Sequence, residues 1–125
     1  MIDHIGIKVS DVDKSKRFFR LAPAPIAYTP LRPLPAAVTG TTVVARFGEA
    51  AKAHLGISAG GPHPAPVHAA FATGSRAAVD AFHRAALAGT DNGAPGPRPH
   101  HHADHDGAFA LDTDGQNIAA VCHAP

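Results

Sequence analysis

His4 and His68 stand 64 positions apart in two stretches that repeat each other. The first reads Asp3-His4-Ile5-Gly6-Ile7-Lys8-Val9, followed by Asp11 and a helical run to Leu21. The second reads Val67-His68-Ala69-Ala70-Phe71, followed by Ser75 and a helical run to about Ala88. At the same offset Asp11 meets Ser75, Phe18 meets Phe82 and Arg20 meets Arg84. Self-similarity at so long a period points to two fused copies of one unit rather than to a solenoid. Equivalent histidines in such a duplication would face each other across the interface between copies, where a shared metal or ligand site would form. Imidazole suits both tasks, as a metal ligand and as a proton carrier near neutral pH. Histidine is also the compositional outlier: there are 10 in 125 residues, four of them between His100 and His105.

The elements that must position these residues follow from periodicity. Over Ile2–Val9 apolar residues alternate, with Ile5, Ile7 and Val9 on one face and His4, Gly6 and Lys8 on the other. Asp11 is a good N-cap for a helix that turns Val12, Phe18 and Phe19 toward a core. Residues 22–35 carry five prolines and read as extended or irregular, with a short strand at Ile26–Thr29. Thr41–Phe47 reads as a strand, Gly48–Ala51 as a turn, and Lys52–Ser58 as a strand with Ala53, Leu55 and Ile57 inward and His54, Gly56 and Ser58 outward. In the second copy Val67, Ala69 and Phe71 face the core, opposite His68, Ala70 and Ala72. Its helix sets Val79, Phe82 and Ala86 on one stripe. Residues 89–99 are rich in Gly and Pro, and Gly107–Leu111 and Asn117–Cys122 form a hairpin around an Asp-Gly turn. Each copy is therefore strand, helix, then two or three strands, with one sheet face left open and lined by small or polar residues.

Composition narrows the function classes. A chain of 125 residues is a normal single domain. The formal net charge of +1 gives no basic stripe of the kind nucleic acid needs, so no nucleic-acid partner is expected. No apolar run reaches membrane-spanning length, and a strand pattern begins at the N-terminus, where a signal peptide would lie. A cytoplasmic protein is the expectation. Cys122, the single cysteine, can form no internal disulfide; its parity with Ile118 and Ala120 reads as a buried, inert thiol.

The pattern Asp3-His4-Ile5-Gly6-Ile7-Lys8-Val9-Ser10-Asp11 with Phe18-Phe19, then Pro66-Val67-His68-Ala69-Ala70-Phe71, then Gly107-Ala108-Phe109-Ala110-Leu111-Asp112 and Asp114-Gly115-Gln116-Asn117-Ile118, resembles the vicinal oxygen chelate superfamily. This is the glyoxalase, bleomycin-resistance and extradiol-dioxygenase group, and the resemblance covers nearly the whole chain. It implies an α+β fold of two βαβββ modules whose mixed sheets curve into a cup with helices outside. The chain divides accordingly into module one at about 1–59, a linker at about 60–65 and module two at about 66–125. The resemblance further implies a homodimer and a divalent metal at the cup floor, activating a small-molecule substrate through two neighbouring oxygens.

Carried over residue by residue, the first-strand ligand positions fall on His4 and His68, and the late-strand position of module one falls on His54. Strand parity independently sets all three on the open face. The fourth position, where the family usually has Glu, is Ala119 here. Three imidazoles with open positions suit zinc, nickel, cobalt, manganese or ferrous iron acting as a Lewis acid. An all-neutral shell holds a divalent cation less well than one containing a carboxylate. The run His100-His101-His102-Ala103-Asp104-His105-Asp106 departs from the family pattern. In one reading His101, His102, His105 or Asp106 hangs over the cup mouth and replaces the missing acid, with His101 and His105 as the catalytic candidates. In the other it is a solvated loop that binds metals adventitiously.

His63, His83 and His123 read as surface or packing residues. Arg46 and Arg98 are candidates for holding an anion, although solvated charge is the simpler reading, and Tyr28 and Phe47 are candidates for an aromatic pocket. Six Phe, one Tyr and no Trp argue mildly against antibiotic sequestration by aromatic stacking. Two function classes remain. One is a metal-dependent lyase, isomerase or dioxygenase acting on a small oxygenated metabolite; the other is a non-catalytic small-molecule binding or resistance protein.

Overall fold

The structure, a computed structural model, describes residues 2–32, 34–39 and 43–125. The first half of the chain runs β1 (Ile5–Val9), α1 (Val12–Leu21), a 3₁₀ turn (Ala24–Ile26), β2 (Thr29–Leu31), α2 (Ala36–Thr39), β3 (Val43–Glu49) and β4 (Lys52–Ala59). The second half runs β5 (His68–Ala72), α3 (Arg76–Ala86), β6 (Thr90–Pro97), β7 (Asp106–Leu111) and β8 (Asn117–Cys122). Two four-stranded sheets result, ordered β1-β4-β3-β2 and β5-β8-β7-β6. In each, the first strand pairs parallel with the last and the other pairings are antiparallel. The two halves thus repeat one topology, and the fold is the duplicated βαβββ arrangement expected from the sequence.

Local chemistry explains the shared pattern. Asp11 and Ser75 both adopt extended backbone and cap their helices, accepting from Lys14 N–H at 3.0 Å and Ala78 N–H at 3.2 Å. Strand alternation buries Ile7 and Val9 on β1, Leu55 and Ile57 on β4, Ala69 and Phe71 on β5, and Ile118 and Ala120 on β8. These meet Phe18 and Phe19 of α1 and Phe82 of α3 in one core cluster spanning both halves. Each buried phenylalanine contributes about 2 kcal/mol. Burying both helix-bearing faces in a common core leaves the opposite face of each sheet turned outward.

Three local expectations are corrected. The short strand expected at Ile26–Thr29 starts later: Ala24–Ile26 is a 3₁₀ turn, Ala27 takes a left-handed conformation at φ 67°, and pairing begins at Thr29 and runs to Leu31. The strand expected over Thr41–Phe47 continues to Glu49, and the turn narrows to Ala50 and Ala51, both at positive φ; Thr41 and Thr42 lie outside the described residues. Residues 90–97 form β6 despite their glycines and prolines. That strand is an edge paired only with β7, so Pro95 and Pro97 need not donate to a second neighbour. Its register shifts between Asp91 and Gly93 and again between Gly93 and Gly96.

The halves are fastened by polar contacts. The Asp112 carboxylate accepts from Asp114 N–H and Gln116 N–H, each at 2.9 Å, and from Gln116 Nε2–H at 3.2 Å, which fixes the β7–β8 turn. Asp114 in turn accepts from the backbone N–H of Ser10 at 3.0 Å and from its hydroxyl, at the β1–α1 junction. The segment between the halves covers the free edge of β1: Lys8 N–H donates to His63 Nε2 at 3.3 Å, and Gly61 N–H donates to Val9 O at 3.2 Å. No helix among the described residues is long and apolar enough to cross a membrane.

Two outcomes follow from this packing. A Cβ added at Gly89 would stand 2.2 Å from Leu111 O and 2.8 Å from Phe18 Cε2, where the α3–β6 turn meets α1. Gly89→Ala is therefore expected to cost about 2–3 kcal/mol in chemical denaturation, and an unchanged midpoint would contradict this packing. The buried His83 Nε2–H donates to Asp91 at 3.0 Å; that bond, with one from Gly93 N–H, lowers the Asp91 carboxyl below its ordinary value of 3.8. Because the folded value is the depressed one, the stability linked to Asp91 is complete above 3.8 and is lost as pH falls through the folded value. Carboxyl NMR of the native protein should place the Asp91 midpoint below 3.8; a midpoint at or above it would contradict the assigned bonds.

Candidate functional site

Asp3 organises the entrance to the first sheet's open face. His4 Nδ1–H donates to Asp3 Oδ1 at 3.1 Å, and His54 Nδ1–H donates to the Asp3 carbonyl at 3.2 Å. Lys52 Nζ pairs with the same carboxylate at 2.8 Å. The hydrogen bonds from Lys52 and His4 bring the Asp3 carboxyl down to about 2. The face beyond is a cavity of ≈ 890 Å³ whose lining includes His4, Gly6, Lys8, Arg46, Gly56 and Ser58. With Lys52 matched by Asp3, Lys8 and Arg46 supply the remaining positive charge. Arg46 is steadied by donating to the Arg32 carbonyl at 3.2 Å. Among the described residues nothing stands within 4 Å of where a Gly6 side chain would be, which leaves the middle of the face open to a ligand.

The three expected ligands are not gathered within one chain. The β1–β4 register, Ile5 opposite Leu55, extends to set His4 beside His54. His54 is, however, the extra residue of an irregularity, since Phe47 pairs with Leu55 while the next residue, Gly48, pairs with Ala53. This interrupts the alternation that would align it with Gly56 and Ser58. Its ring instead lies 5.4 Å from Tyr28, which itself packs 4.8 Å from Phe71. His68 opens β5 on the second sheet, exposed, with its Nδ1–H donating to the Asn117 carbonyl at 3.0 Å and its ring 6.1 Å from Phe109. The two first strands do not pair with each other. Among the described residues no three His, Cys, Asp or Glu side chains converge to hold a metal.

The donor chemistry of the three is nevertheless uniform. Each has Nδ1–H held by an oxygen, which leaves the lone pair on Nε2, and metal-binding histidines are oriented in the same way. The fourth position offers nothing. Ala119 is fully buried on β8, opposite Phe109, whose ring leans across that strand toward His68. By register its counterpart in the first sheet is Gly56: Gly6 pairs with Gly56 as Ala70 pairs with Ala119.

The histidine run lies on the open side of the second sheet but at the far end from His68. His68 pairs with Asn117 at the start of β8; His105 comes opposite His123, one step beyond the Asp106–Cys122 pair. Six strand residues separate the two places, about 20 Å. Within one chain His101 and His105 therefore do not reach His68. The His105 ring lies 5.0 Å from His101 and 4.9 Å from His123. Burial, then the neighbouring His123, His101, His102 and Arg98, lower the pKa of His105.

The remaining candidates separate cleanly. Phe47 is core, 6.0 Å from Phe19, and lines a second cavity beside α1 with Arg17 and Arg20 rather than the cavity at His4. The Arg98 guanidinium donates to the carbonyls of Ala94, Gly96 and Pro97 and stands over Phe109, so its donors are directed into its own loop. Cys122 is buried, as its parity implies. The sequence reading missed Asp3, which touches His4, His54 and Lys52, and treated His123 as a surface or packing residue. Counting outward along the hairpin from its Asp-Gly turn would have paired His123 with His105.

This architecture is the vicinal oxygen chelate fold of glyoxalases, bleomycin-resistance proteins and dioxygenases. Similar solved structures include a glyoxalase/bleomycin resistance protein from Albidiferax ferrireducens T118, at 24% identity and a TM-score of 0.67, covering 98% of this chain and 97% of that one. A glyoxalase/bleomycin resistance protein/dioxygenase family enzyme from Burkholderia phytofirmans PsJN shows 14% identity and a TM-score of 0.70, with 98% of each chain covered. A mutant of the fosfomycin resistance protein FosX from Listeria monocytogenes shows 17% identity and a TM-score of 0.65, covering 96% of this chain and 87% of that one. Its structure contains Mn(II) and 1S,2S-dihydroxypropylphosphonic acid. No family model matches the sequence, and no curated protein matches it at a significant level.

Proposed function

We propose that this chain is a divalent-metal-dependent enzyme of the vicinal oxygen chelate type that acts on a small, anionic, oxygenated metabolite as a homodimer. The observation that carries this reading is the shared state of His4, His54 and His68, each with Nδ1–H held by an oxygen and Nε2 left as donor. His4 and His68 open equivalent strands on outward faces, so a second copy can bring the His68 of one chain to the His4 of the other, with His54 beside His4. A metal held there would supply Lewis acidity toward two adjacent substrate oxygens. Lys8 and Arg46 would orient the anionic end of the substrate over Gly6 and Gly56. The phosphonate diol bound with Mn(II) in FosX is a ligand of that chemistry.

A second reading, a binding protein without metal, is favoured by Ala119. With neither Gly56 nor Ala119 contributing a donor, the shell stays neutral, and Lys8 and Arg46 alone would hold an anion. Metal analysis separates the two. Protein purified without a polyhistidine tag or nickel resin is expected to bind zinc or manganese, with His68→Ala weakening binding at least about tenfold and His63→Ala leaving it unchanged. Equal affinity in the wild type and His68→Ala, with anion binding lost in Arg46→Ala, would favour the metal-free reading. Light scattering at micromolar concentration should give twice the 12.8 kDa chain mass; a monomer alone would remove the two-chain site.

A further inference from the structure

We propose that His101, His105 and His123 form a second divalent-cation site, at the end of the β7–β8 hairpin and separate from the cup. Three observations point to it. His105 Nε2 is buried and has no hydrogen-bond partner among the described residues, an orphaned lone pair or N–H that a bound ion or a further group would explain. It lies against Gly107, where an added Cβ would stand 3.3 Å away, so the absence of a side chain there makes room for the ring. The ring also has a neighbour on either side, His101 with centroids at 5.0 Å and His123 at 4.9 Å. Two imidazoles on one tetrahedral cation with metal–nitrogen bonds of about 2 Å have ring centres about 5 Å apart.

The loop that presents these rings is fixed by its own backbone. Arg98 N–H donates to His105 O at 2.6 Å, His101 N–H to Arg98 O at 2.9 Å, and His105 N–H to His102 O at 3.0 Å. His123 is fixed by the hairpin register that sets it opposite His105. The rings are tilted (His101–His105) and edge-on (His105–His123) rather than convergent, so binding requires rotation of His101 and His123, both exposed and free to change rotamer. His102 is less suited to the site, because its Nδ1 accepts from Asp104 N–H at 3.2 Å. His100 meets only the His101 ring, edge-on at 4.4 Å, and lies outside the set. Three neutral imidazoles with no carboxylate suit a borderline cation such as zinc or cobalt rather than magnesium or calcium.

The test is titration of untagged, chelator-treated protein with zinc chloride and, for a spectroscopic signature, cobalt chloride. A site intact in His68→Ala and at least tenfold weaker in both His105→Ala and His123→Ala, with His100→Ala unchanged, is the expected result. His101→Ala, which alters an exposed side chain, should weaken it as well even if the His105 variant folds poorly. Cobalt should give the intense visible bands of a tetrahedral centre, lost in His101→Ala. Equal weakening by His100→Ala and His105→Ala would mean diffuse binding by the tract and would overturn the proposal, as would zinc binding that depends on His68 alone. Wild-type protein that binds zinc at this site and at no site dependent on His68 would refute the functional reading and leave this inference standing.

Discussion

The constraint on which the rest depends is the single core filled from both halves of the chain. Phe18 and Phe19 on one helix and Phe82 on the other meet the buried faces of both sheets, and the second cluster among the described residues is only Val79, Ala108 and Cys122. Once those faces are spent on each other, each sheet has only its opposite face to offer a ligand. The Ser10–Asp114 and Ser15–Thr113 contacts fasten the two halves in that relation. Two outward faces carrying equivalent histidines are therefore a consequence of packing, and in one chain they do not close on each other.

The chemistry of the first face is set by Asp3 at its entrance. Asp3 uses its side chain on His4 and Lys52 and its carbonyl on His54. It thereby cancels one lysine, orients two imidazoles and leaves Lys8 and Arg46 facing the cavity. On the second sheet the Asn117 carbonyl does the same for His68. Orientation by oxygen at Nδ1 is the property common to the three histidines; position alone does not unite them.

Much of this was legible in the sequence, and the parts that were not have identifiable causes. Alternation over Ile5–Val9 and His68–Ala72 located the open faces, and Asp11 with Ser75 located both helices, because period-2 patterning and capping are local. The place of His54 was not legible: one extra residue in β4 breaks the parity on which its placement rested. β6 was obscured because an edge strand tolerates Pro95 and Pro97. Spacing left the histidine run open between a place over the cup mouth and a solvated loop; hairpin register puts His105 opposite His123, at the far end of the sheet from His68. Whether Ala119 leaves room for a ligand depended on Phe109, a cross-strand neighbour that spacing does not reveal.

The proposed metal site requires a second copy to bring its His68 to the His4 of the first. Anomalous diffraction from crystals of untagged protein loaded with manganese tests it most directly. The account predicts a peak bonded to Nε2 of His4 in one chain and of His68 in its partner. A peak touching neither, or crystals in which the two outward faces never meet, would contradict it.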